Sequence, residues 1–153
     1  MTLIKSISGI RGTIGGAIET NLTPIDIVKF ASAYGSYLLN KKAGSKVVIG
    51  RDARLSGPMV QSLISQTLIG LGLDVIDLGL ATTPTVEMAV PAEKAAGGII
   101  ITASHNPKQW NALKLLNAKG EFISGSDGEE MLAIAEKGAF AFARVDALGS
   151  VEE

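Results

Sequence analysis

The chain has 153 residues, 46% hydrophobic and 19% charged, the size of one compact unit with a real core. Its 14 basic and 15 acidic residues leave a net charge of −1, which excludes a basic nucleic-acid footprint and an electrostatic membrane anchor. With no cysteine there is no disulfide, no thiolate metal site and no cysteine nucleophile, which suits a reducing cytoplasm. Residues 1–12 alternate polar and apolar, unlike a signal peptide. The longest apolar run, residues 95–103, falls well short of the ~18–20 residues of a membrane span.

Strand-like and helix-like patterns then alternate. Thr23-Pro24 predicts a helix start, with a hydroxyl to cap free amides and a proline where its missing N–H costs nothing. Ile27, Val28, Ala31, Gly35 and Leu38 follow at helical spacing, up to about Asn40. The β-branched run 46–50 reads as a buried strand. Ser56-Gly57-Pro58 opens a second helix, with its stripe on Val60, Leu63, Ile64, Thr67, Leu68 and Leu71. Gly72 is placed to end it in a left-handed cap. Residues 74–78 read as strand, and Thr83-Pro84 opens a shorter helix through Val86, Ala89 and Val90. Residues 98–101 form another buried strand, and residues 113–116 read as strand or as a short helix. Ser126 with Glu129 resembles a capping box for a last helix over 129–137. The order predicts an α/β fold, a three-layer α/β/α sandwich with a mostly parallel, mixed central sheet and helices on both faces. Residues 1–140 make the domain, and residues 141–153 read as a helix end or a linker toward a second domain.

Ligands of an open α/β sheet collect at the carboxyl ends of its parallel strands, and polar clusters are placed there. Ser8-Gly9-Ile10-Arg11-Gly12 is either a tight turn with one exposed arginine or an anion-binding turn with a guanidinium fork. Arg51-Asp52-Ala53-Arg54 is either a solvated ion pair or an aspartate orienting one arginine while the other faces a ligand. Thr102-Ala103-Ser104-His105-Asn106-Pro107 is either a polar turn or a site, with the only histidine beside a candidate nucleophile. Lys114, between apolar neighbours, is placed for proton transfer. A Ser-His-Asp hydrolase is disfavoured, because adjacent Ser and His do not readily hydrogen-bond and no Gly-x-Ser-x-Gly elbow is present. Neither a Walker A loop nor a Gly-x-Gly-x-x-Gly fingerprint occurs.

Together the clusters resemble the first domain of the α-D-phosphohexomutases: phosphoglucomutase, phosphomannomutase and phosphoglucosamine mutase. The resemblance rests on Gly9-Ile10-Arg11-Gly12, the run from Gly50 to Pro58 and Thr82-Thr83-Pro84-Thr85. Its most specific part is the 102–107 loop followed by Asn111-Ala112-Leu113-Lys114. It implies that Ser104 is a phosphocarrier serine, with His105 beside it, Lys114 aiding proton transfer at the sugar hydroxyl and Arg11 near the reacting phosphate. Arg51, Arg54 and Asn106 are expected to bind substrate or phosphate. The implied reaction passes phosphate from Ser104 to a hexose phosphate and back from a reoriented hexose bisphosphate. The implied cofactor is Mg2+, held by the Ser104 phosphate and aspartates of an Asp-Gly-Asp-x-Asp loop.

Two departures bear on this. Ala112 stands where the family usually has glycine, so the loop before Lys114 is expected to turn differently. The chain also carries no Asp-Gly-Asp-x-Asp loop, sugar-selecting loop or phosphate-clamping domain. It is therefore expected to be a fragment or lone first domain, inactive alone, whose partners are the enzyme's remaining domains. Nucleic acid and membrane are not expected partners. A stand-alone sugar-phosphate-binding module is the competing reading, and a generic scaffold would need three chance matches.

Overall fold

The computed structural model describes residues 1–6, 9–42 and 44–153, so Ser8 of the first cluster lies outside the described residues. In chain order the elements are β1 (Ile4–Ser6), β2 (Gly9–Thr13), α1 (Pro24–Lys41), β3 (Lys46–Arg51), α2 (Gly57–Gly70) and β4 (Asp74–Leu80). There follow α3 (Thr83–Ala92), β5 (Gly97–Ile101), β6 (Trp110–Leu116), α4 (Gly125–Lys137) and β7 (Val151–Glu152). The strands form one mixed sheet in the order β1-β2-β6-β5-β3-β4-β7. The sandwich expected from the pattern is thus present.

Within the sheet, β3 runs parallel to β4 and β5, and β7 runs parallel to β4. β6 is antiparallel to β5 and β2, and β2 to β1. The change of direction has a simple cause. Residues 102–109 between β5 and β6 are too few for a parallel crossover, which takes about a dozen residues or more. This also settles residues 113–116 as strand. Val47, Ile49, Ile99 and Leu113 pack toward α1, α2 and α4, while Val48, Ile76 and Ile100 pack toward α3.

Helix α1 begins where Thr23-Pro24 places it. The Thr23 hydroxyl accepts from the Asp26 amide (3.4 Å), and the Asp26 carboxylate accepts from the Thr23 amide (3.1 Å) and hydroxyl (2.5 Å). Ile27, Ala31, Gly35 and Leu38 are buried, but Val28 is 36% exposed. It sits at the edge of the stripe, in an open groove with Leu63 and Phe142. Helix α2 buries Val60, Ile64 and Leu68 fully and Leu63 only in part. Gly72 ends it at φ 91°, with amides of Gly72 and Leu73 donating to Ile69 and Leu68 carbonyls, both at 3.0 Å. That is the expected left-handed cap.

The last helix starts earlier than predicted. Ser124, on extended backbone, accepts from the Asp127 amide (3.2 Å), and Ser126 is already inside α4. A hydroxyl caps from outside the first turn, which Ser126 no longer occupies. Beyond Gly138 the chain forms no further α-helix; it makes a 3₁₀ turn at Val145–Ala147 and adds β7 to the β4 edge.

Tyr34 fastens α1 to the sheet. Its buried hydroxyl accepts from the Gly98 amide (3.0 Å) and donates to the Leu116 carbonyl (2.5 Å), bridging β5 and β6. Burial pushes this phenol well above its ordinary range, so it stays protonated. Tyr34→Phe is expected to cost about 1–3 kcal/mol in urea unfolding, since it strands two buried backbone groups. An unchanged midpoint would show that water replaces the hydroxyl.

Candidate active site

The loops leaving β3 and β5, neighbours in the sheet, come together at one end of it. The 102–109 loop is two successive turns: the Asn106 amide donates to the Ala103 carbonyl and the Trp110 amide to the Pro107 carbonyl, each at 3.0 Å. Ser104 occupies the first turn with φ 53°, a left-handed conformation unusual for serine. It is exposed, and its Oγ accepts a 2.7 Å hydrogen bond from Lys114 Nζ. The register explains the meeting. Lys114 lies opposite Ile100 of β5 and opposite Gly9 of β2, on the face of the sheet where α3 packs. Arg11 pairs with Ala112 two residues away and so presents its side chain on that same face.

Ser6, Gly9, Arg11, Ala112, Leu113 and Lys114 line a shallow cleft of about 280 Å³ there. Gly9 is required by close approach, because a Cβ would run into the Leu113 carbonyl oxygen. Ala112 lies inside β6 and its backbone is not left-handed, so its methyl changes no turn at that point. His105 is exposed on the same turn as Ser104. The geometry thus joins Ser104 to Lys114, which shares the cleft with Arg11, and His105 follows Ser104 on the turn. An exposed hydroxyl held by an ammonium, with a guanidinium in the adjoining cleft, can carry and present a phosphoryl group, whose charge of about −1.5 to −2 the cations offset.

The other expected ligands lie differently. Arg51 turns away from Ser104: its Nε donates to Gln61 Oε1 (2.6 Å), and it lines a separate pocket with Ser65 and Asp77. Asn106 contributes through its backbone, donating to Ala103 and accepting from Arg54. Arg54, expected at a phosphate, instead has all its N–H groups occupied. Nε donates to Asp52 (3.2 Å), Nη1 to the carbonyls of Pro107 (2.7 Å) and Trp110 (3.1 Å), and Nη2 to those of Ser104 (2.9 Å) and Asn106 (2.8 Å). A guanidinium has five N–H donors, so none remains for a phosphate.

Asp52, Thr102 and Asn111 emerge as supporting residues. Asp52 accepts from the Thr102 hydroxyl (2.6 Å), whose oxygen accepts from the Ser104 amide (3.1 Å). Asn111 is fully buried and donates to the Ser56 hydroxyl (2.8 Å); Ser56, whose backbone is helical (φ −78°, ψ −10°) and not extended, makes no side-chain cap on α2. In the sequence these residues stood only as neighbours within motifs.

The residues present do not by themselves make a magnesium site, in keeping with an expectation that places the metal aspartates outside them. Among the described residues no three His, Cys, Asp or Glu side chains are placed to hold a metal ion. The carboxylate beside the loop, Asp52, already serves Arg54 and Thr102.

Residues 3–142 match the family model for the phosphoglucomutase/phosphomannomutase α/β/α domain I. The phosphoglucosamine mutase of Natranaerobius thermophilus is 41% identical over 128 residues, 82% of this chain and 28% of that protein. The phosphoglucomutase/phosphomannomutase of Thermococcus kodakarensis is 41% identical over 114 residues, 71% of this chain and 25% of that protein. A crystal structure of a phosphoglucomutase/phosphomannomutase family protein from Burkholderia thailandensis aligns with a TM-score of 0.82 at 27% identity, covering 97% of this chain and 32% of that one. The chain thus spans 25–28% of the length of these two curated relatives. With the fold, the loop after β5 and the match over residues 3–142 in agreement, the chain belongs to the phosphoglucomutase/phosphomannomutase family, as its α/β/α domain I.

Proposed function

We propose that this chain is the phosphoserine-bearing domain of a phosphohexomutase, acting with the further domains that such an enzyme requires. One observation carries the reading: the Lys114 ammonium on the Ser104 hydroxyl at 2.7 Å, in a left-handed turn, with Lys114 itself lining a cleft with Arg11. In the proposed step a hexose-phosphate hydroxyl attacks phosphorus on phospho-Ser104. The new bond is sugar oxygen to phosphorus, and the bond from Ser104 Oγ to phosphorus breaks. The hydroxyl proton leaves the sugar and one returns to Oγ, with Lys114 as the carrier between them. Arg11 and Lys114 hold the charge that a phosphoserine and an incoming phosphate would otherwise bring together unscreened. Repeating the step in reverse on the reoriented hexose bisphosphate leaves the phosphate at the sugar's other position.

The test replaces the matching domain of the Natranaerobius thermophilus phosphoglucosamine mutase with this chain. After incubation with a hexose bisphosphate, peptide mapping is expected to find one phosphate, on Ser104. Phosphate on Thr102 or Ser56 instead would sink the assignment. The 153-residue chain alone is expected to show no turnover, because it spans only 25–28% of the length of the two curated relatives. Turnover above about 1 s⁻¹, an ordinary enzyme rate, would contradict that.

A further inference from the structure

We infer that Arg54 is a positioning residue for phosphate transfer: it holds the turn that aims Ser104 at Lys114. The inference rests on the proposed role of Ser104 and concerns a residue that cannot itself take the phosphate. The sequence separation is the first reason. Arg54 belongs to the loop between β3 and α2, yet four of its five donors end on backbone carbonyls of residues 104–110. The second is how the guanidinium is fixed. Asp52 accepts from its Nε and also from the Arg54 amide (3.2 Å), and the side chain is only 11% exposed.

The third reason is strain. A left-handed serine persists only where its surroundings over-determine it. Here one planar fork joins the Ser104 and Asn106 carbonyls, and the other Nη gathers Pro107 and Trp110. The Asp52–Thr102–Ser104 chain of hydrogen bonds fastens the amide side of the same residue. Ser104 is therefore held at both of its peptide groups by the Asp52–Arg54 pair, which aims its Oγ at Lys114. Lysine has only three donors on a point charge and cannot reproduce a planar fork onto four carbonyls.

The experiment uses the same domain replacement, with Arg54→Lys, Arg54→Gly and Ser104→Ala variants. Arg54→Lys is expected to lower kcat about 100-fold, the cost of a misplacement of about 1 Å, while the KM for hexose phosphate stays within about twofold. Arg54→Gly is expected to fall further and to recover part of its rate on adding guanidinium ion, which has the lost donors. A raised KM with unchanged kcat in Arg54→Lys would make the residue a phosphate ligand and overturn the inference. Parental kcat in Arg54→Lys, with Ser104→Ala inactive, would overturn it while leaving the role of Ser104 standing. Loss of the folded state in both Arg54 variants, unrelieved by guanidinium, would assign the arginine to the fold alone and overturn it too. Full activity in Ser104→Ala would remove the reading on which the inference rests.

Discussion

Ser104→Ala is expected to lower phosphate transfer by on the order of 10⁴-fold or more in the domain-replaced mutase, with the fold unchanged. The loss is that large because no neighbour can take over the phosphoryl group. The Thr102 hydroxyl is buried and committed to Asp52, and Ser56 is engaged by Asn111. Stability is spared for a separate reason. The Ser104 side chain is exposed, and its one hydrogen bond among the described residues is to a lysine that water can solvate equally well. A companion variant separates chemistry from strain. Ser104→Gly loses the same hydroxyl but suits φ 53° better, so it is expected to be as inactive and somewhat more stable. Phosphate incorporation by mass, alongside thermal unfolding of each variant, decides it. Retained transfer in either variant would remove Ser104 from the carrier role.

Local signals account for most of what the sequence made legible. Thr23-Pro24 marks the start of α1 because capping and a fixed proline φ act within three residues. The short β-branched runs mark β3 and β5 because both strands are buried on two faces. Gly72 shows the end of α2 because only a left-handed residue closes it. Pairing direction is less local: β6 turns antiparallel only because the loop before it is short, and β7 has two residues with no pattern of their own. In the site, Ser104 and Lys114 could be paired by eye, since they sit ten residues apart on one hairpin. Arg54 could not. Its acceptors are main-chain carbonyls about 50 residues away, and a carbonyl leaves no trace in residue identity. An arginine beside a phosphate and one that clamps a loop look alike until the acceptors are known.

The stripe of α2 gives the second large effect. Leu68→Ala is expected to cost about 2–5 kcal/mol, and Leu63→Ala markedly less, about 1 kcal/mol. The sequence pattern ranks them equally, since both lie at helical spacing. The structure does not: Leu68 is fully buried, and Leu63 borders the open groove with Val28 and Phe142. A cavity term adds at Leu68 because its neighbour across the helix pair cannot fill the space. That neighbour is Gly35 of α1, where a Cβ would stand 3.0 Å from Leu68 Cδ2 and 3.2 Å from Leu73 Cδ1. Glycine lets α1 approach closely, and it has no side chain with which to collapse into a void. Leu63, at the groove, loses contacts that solvent already shares. Urea unfolding of the 153-residue chain measures both. Equal losses at the two positions would mean that α2 is rotated about its axis relative to the sheet. Phosphate transfer supplies the cross-check: Leu68 packs on the α1 side while Lys114 and Arg11 stand on the α3 side. Below its lowered unfolding midpoint, the Leu68→Ala form in the domain-replaced mutase is therefore expected to keep the parental kcat.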